Sequence, residues 1–182
     1  MVGSLLEWVP PMAAPLSAQV AWWLAFAGYL SFAAASIVLA VIDLRQHRLP
    51  DAIVLPSLGV VTLLLGGASI VAGDWPRLWV TLGTGAGLFA VFFVLAVVSP
   101  SGLGGGDVKL AALVGVALGY AGWNAVLIGV LGAFALATLL AAVLLLRKKQ
   151  RRATSFAFGP CMLAGAWIGL VWESVSVPAA LG

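Results

Sequence analysis

From Val20 to Ile42 the chain carries no Asp, Glu, Lys or Arg. An apolar run of this length crosses a hydrocarbon core of about 30 Å as a helix, and nothing else in the sequence limits the fold as strongly. The pattern recurs at Ala52–Gly73, where Pro56 falls near the start and a kink is tolerable, at Leu78–Val98, which stops at Ser99-Pro100, and at Trp123–Leu146. Two shorter runs, Val108–Tyr120 and Phe158–Trp172, complete the set. At 1.5 Å per residue the first of these is only about 20 Å long, so it spans only if the glycine-rich segment ahead of it begins below the membrane surface. Composition agrees, with 63% hydrophobic and 8% charged residues, against about 45–50% and about 25% in soluble domains. The expected fold is an all-α integral membrane protein, a bundle of about six transmembrane helices forming one domain over residues 20–182. Residues 1–19 are expected to be an irregular or interfacial lead-in with Trp8 at headgroup depth. They lack a basic start, and Pro10 and Pro11 interrupt the apolar run, so they do not read as a signal peptide.

The basic residues orient the bundle. With the N-terminus outside, the inward connections hold Arg45 and Arg48, then Lys109, then "RKKQRR" at 147–152, leaving only Arg77 opposite. This asymmetry is what the positive-inside rule asks for. The 147–152 cluster reads as a topology determinant, ahead of a lipid or nucleic-acid patch. The single cysteine, Cys161, lies in an apolar run, which rules out a disulfide framework or a CxxC metal site within this sequence and suits a small core residue.

Six acidic residues are present. Glu7, Asp74 and Glu173 fall at outer ends or loops and are expected to be solvated. Asp43, Asp51 and Asp107 all fall on the inner side, closing the first helix and opening the second and fourth. Acidic groups at membrane depth cost about 2.5–3.5 kcal/mol each on insertion scales, which marks them as functional. Asp43 also sits at a helix C-terminus, which disfavours an anion. Pairing with Arg45 or Arg48 is its structural alternative. Asp51, in "LPDAIV", is placed to cap a helix, with a supporting site role left open. Asp107 follows "GGG"; capping alone does not call for three glycines, whereas close approach of another backbone does. His47, the one histidine, shares the loop of Asp51 and reads as incidental ahead of a proton-transfer group. Two facing carboxylates share one proton, so one draws a proton from water while the other protonates the carbonyl oxygen or leaving amine.

Three blocks, "IDLRQHRLPDAIVLP" (42–56), "GGGDVKLAALVG" (104–115) and "FGPCMLAGAWIGL" (158–170), stand in this order. In them the chain resembles the type IV prepilin leader peptidases, members of the GxGD class of aspartic proteases. The resemblance implies a GxGD-type fold and catalytic aspartates at Asp43 and Asp107. Gly104 and Gly106 match its specified glycines, Lys109 and Leu110 its K-L, and Asp51 the aspartate of L-P-D, outside the catalytic pair. Phe158, Gly159 and Pro160 match its F-G-P block, which is expected to shape a substrate groove. It further implies a prokaryotic cytoplasmic-membrane enzyme without cofactor or metal, cutting the basic leader from prepilins or pseudopilins at the cytoplasmic face. Membrane lipid and the pilus or secretion machinery are implied partners, and nucleic acid is not. Long members carry an N-terminal domain with two CxxC pairs and also methylate the new N-terminus. This sequence resembles the short form, for which methyl transfer is doubtful.

Three rival readings are weighed. The presenilin and signal-peptide-peptidase branch shows Tyr-Asp and Pro-Ala-Leu, whereas here Ile42 precedes Asp43 and "PAAL" (178–181) has an extra alanine. A small proton-coupled transporter using the same aspartates is favoured by inverted repeats, which the sequence lacks. A non-catalytic pilus assembly scaffold predicts pilin binding that survives loss of both carboxylates.

Overall fold

A computed structural model describes residues 14–46, 49–98, 104–146 and 158–176. Among these residues there are six helices: α1 (Leu16–Gln46), α2 (Asp51–Ala72), α3 (Trp75–Val98), α4 (Gly105–Ala121), α5 (Trp123–Leu146) and α6 (Gly159–Ser176). The chain is an all-α membrane protein, and α1, α2, α3 and the Trp123–Val143 part of α5 are each long and apolar enough to cross a bilayer. The expected positions of His47, Arg48, Trp8, Glu7 and the 147–152 cluster lie outside the described residues.

The helix starts follow local chemistry. Pro15 opens α1: its carbonyl accepts from the N–H groups of Ala18 (2.9 Å) and Gln19 (3.2 Å), so the helix begins at Leu16, inside the stretch expected to be irregular. With 31 residues, α1 is roughly 46 Å long and outreaches a bilayer core. It runs past Asp43 to Gln46, so Asp43 lies within the last turns of α1 and does not close it. Asp74, expected to be merely solvated, caps α3: its Oδ1 accepts from the Arg77 N–H at 3.0 Å, and its Oδ2 is 3.5 Å from Arg77 Nε. Ahead of it Gly73, at φ 71°, turns α2 into α3 in the left-handed conformation that glycine adopts without strain.

α4 is longer than the expected Val108–Tyr120 run. It starts within the glycine run and has 17 residues, so its length is roughly 25 Å. It is the central post of the bundle and not a lipid-facing span: every residue from Leu110 to Gly119 is buried. α3 lies along it, while α2, α5 and α6 pack around it, with α1 against α2 and α5 against α6. The α3–α4 approach is close enough that a Cβ on Gly115 would stand 2.6 Å from the Thr84 carbonyl oxygen, and one on Gly119 would overlap Thr84 Oγ1. In lipid, where helix association relies on packing and not on expulsion of water, such small residues let backbones meet. Thr84 Oγ1 donates to the Gly115 carbonyl at 2.9 Å, and Tyr29 Oη donates from α1 to the Ala117 carbonyl at 3.2 Å.

Candidate active site

Alternation of helix direction brings the end of α1 and the starts of α2, α4 and α6 to one end of the bundle. Asp43 is only 4% exposed there. Its carboxylate lies over the first residue of α6: a Cβ added to Gly159 would be 2.5 Å from Asp43 Oδ2 and 3.5 Å from Leu110 Cδ2. A carboxylate badly placed at the C-terminal end of its own helix thus meets the N-terminal, positive end of another.

Asp107 is half-buried in the first turn of α4. Its Oδ2 accepts from the Gly104 N–H at 3.1 Å, and its own N–H donates to the Gly104 carbonyl at 3.0 Å. The capping role weighed for Asp107 is therefore present, though from the third helical position: its carboxylate accepts from the N–H of the cap residue Gly104, which has no side chain to reciprocate. Leu110, one turn further along the same face, reaches the point beside Asp43 and Gly159. Asp43 and Asp107 lie within electrostatic reach of one another.

Glycine at 106 brings the segment before α2 into the same cluster, because a Cβ there would be 2.7 Å from Leu49 Cβ and 3.2 Å from the Leu49 carbonyl oxygen. Asp51 does not cap α2. Pro50 holds the cap position in extended conformation without a side-chain hydrogen bond, and Asp51 is the first helical residue, its Oδ2 2.6 Å from Lys109 Nζ. This ion pair ties the first turn of α2 to the second turn of α4, two residues from Asp107. Pro160 occupies the second position of α6, where a missing N–H costs nothing. Phe158 is buried, with its ring 5.8 Å from those of both Phe92 and Phe134. The F-G-P block bears on Asp43 itself, through Gly159, while Phe158 anchors it to α3 and α5.

Sequence reasoning did not foresee the Asp51–Lys109 pair, the seat of Gly106 on Leu49 or the three-ring cluster. The opposite charges of Asp51 and Lys109, each near the start of an inner-end helix, were the available signal for the pair. Cys161 is buried, in keeping with its expected place in the core.

The fold and this end of it define a class: an all-helical, multi-pass membrane protein that gathers carboxylates from separate helices around close glycine contacts. Residues 30–146 match the model of the type IV leader peptidase family. The chain belongs to that family. It is 28% identical over 162 residues to the prepilin leader peptidase/N-methyltransferase of Stutzerimonas stutzeri, covering 86% of this chain and 55% of that protein. The protein of the same name from Pseudomonas putida is 33% identical over 141 residues, covering 75% and 46%. That from Pseudomonas aeruginosa is 27% identical over 176 residues, covering 94% and 59%. The chain thus spans about half the length of the curated relatives it matches. No solved structure matches it significantly.

Proposed function

We propose that this chain is a membrane aspartic endopeptidase that removes the leader peptide of type IV prepilins or pseudopilins, using Asp43 and Asp107 as its acid–base pair. The observation that supports the reading is that these two carboxylates, from α1 and α4, stand at one end of the bundle within electrostatic reach of each other, where Gly159 sets the start of α6 against Asp43 and Gly106 sets the Leu49 segment against the start of α4. Like charges so placed hold one proton between them. The ionised member takes a proton from water as the water oxygen adds to the scissile carbonyl carbon. The protonated member gives its proton to the carbonyl oxygen. Collapse of the gem-diol adduct then breaks the C–N bond: one of its hydroxyls returns its proton to the pair as the carbonyl re-forms, and the leaving amine takes up the proton that had been drawn from water. The reaction consumes one water and returns both carboxylates to their starting state.

Orientation follows from charge. The site end carries Arg45 and Lys109, and the positive-inside rule puts that end on the cytoplasmic face with the N-terminus outside. A prepilin helix lying in the bilayer beside the bundle presents its leader at that level. The relatives' names also carry N-methyltransferase; for this chain we propose the peptidase activity alone.

The reading is tested by reconstituting the purified protein with a prepilin in lipid vesicles. The wild type yields the shortened pilin. Asp43→Asn and Asp107→Asn each lower the rate by roughly 1,000-fold or more, as loss of one member of a catalytic unit does. A transporter leaves pilin length untouched, and a scaffold binds pilin without shortening it.

A further inference from the structure

We infer that Gly159 is a positioning residue for the Asp43 carboxylate, holding it at its working place by having no side chain; this rests on the peptidase reading above. The backbone does not demand glycine at this position. The described glycines with positive φ are Gly73 and Gly122, whereas Gly159 is the first residue of α6, where alanine is conformationally acceptable and a better helix former. The constraint is contact alone. A Cβ at 159 would stand 2.5 Å from Asp43 Oδ2 and 3.3 Å from its Cγ, well inside van der Waals separation.

The surroundings decide which group gives way. The backbone at 159 is held by its neighbours: Phe158 is locked between Phe92 and Phe134, and Pro160 fixes the next φ. Leu110 is fully buried beside the same point, with Cδ2 3.5 Å from it. Asp43 lies within α1, with Leu39 buried one turn before it. A side chain yields by rotation more readily than two anchored helix backbones, so a methyl at 159 turns the carboxylate away from its seat over the α6 N-terminus. A displacement of about 1 Å in an acid–base group is enough to lower turnover about 100-fold without touching substrate binding.

The test is steady-state cleavage of a prepilin by Gly159→Ala in detergent or vesicles, with melting temperature as the check on folding. The expected result is a kcat lower by about 100-fold, a KM close to wild type and a melting temperature close to wild type. Adding Leu110→Val to Gly159→Ala opens room beside the new methyl into which the carboxylate can settle close to its seat, and recovers at least about tenfold of the lost kcat, a rescue that a general packing defect does not show. Wild-type kcat in Gly159→Ala overturns the inference. So does a loss carried mainly by KM, which makes residue 159 part of the substrate groove, or a loss that Leu110→Val leaves in place. Failure of both variants to fold also overturns it, because the glycine is then a requirement of packing. Asp43→Asn, run alongside, separates the two levels: cleavage surviving in that variant ends the peptidase reading, whereas its loss beside a fully active Gly159→Ala ends only the positioning role.

Discussion

Asp43 and Asp107 solve the same electrostatic problem from different directions. Asp43 reaches the start of α6 from the end of α1, while Asp107 lies in the first turn of its own helix and takes the Gly104 N–H. Both carboxylates therefore face helix N-termini, where a negative charge is favoured by about 0.3–1 kcal/mol at exposed positions and more where partly buried. The Asp51–Lys109 pair is of another kind. Its side chains are 59% and 31% exposed at 2.6 Å, a setting in which an ion pair contributes about 0–1 kcal/mol. Lys109→Ala is accordingly expected to shift the unfolding free energy in detergent by no more than about 1 kcal/mol. Prepilin cleavage falls only a few-fold, and the reversed pair Asp51→Lys/Lys109→Asp recovers most of it. A loss as deep as that of Asp107→Asn places Lys109 in the chemistry itself.

At the scale of elements, the bundle is organised around α4, and its small residues are what allow α3 to lie against it. Gly119→Ala drives a methyl into Thr84 Oγ1 and to 3.0 Å from the Val80 carbonyl, an overpacking expected to cost about 1–3 kcal/mol in detergent unfolding. Gly59→Ala on α2 meets nothing within 4 Å, and it is expected to stabilise by about 0.4–1 kcal/mol through the unfolded chain and helix propensity. Equal effects from the two changes contradict close α3–α4 packing. The helices themselves were legible from the sequence because apolar run length and the punctuation by proline, glycine and aspartate fix them locally. Trp123–Leu146 appears with the expected bounds. The enclosure of α4 was not legible, since a run such as "LAALVGVALG" suits lipid and protein neighbours alike. The early starts of α1 and α3 at Leu16 and Trp75 had signals in Pro15 and Asp74 that run length alone overlooks.

Across the whole molecule the two ends differ in kind. Exposed Trp23, Trp75, Trp79, Trp123 and Trp172 gather at the end away from Asp43, Asp51 and Asp107, as an interfacial aromatic belt does, while Arg45 and Lys109 stand at the site end. In a Cys161→Ser background, Ala72→Cys is expected to react with an impermeant thiol reagent from outside intact cells and Gly105→Cys only after permeabilisation; the opposite pattern inverts the proposed topology. Convergence of Asp43, Asp51 and Asp107 on one end was legible, because helix alternation and charge bias together dictate it. The contact of Gly159 with Asp43 was not, because helix register and rotation are set by tertiary packing that no local pattern encodes. The most direct measurement is leader removal from a prepilin by purified protein in vesicles, compared among wild type, Asp43→Asn and Asp107→Asn. The account predicts a shortened pilin with wild type and an uncut substrate with each variant; a shortened pilin from either variant contradicts it.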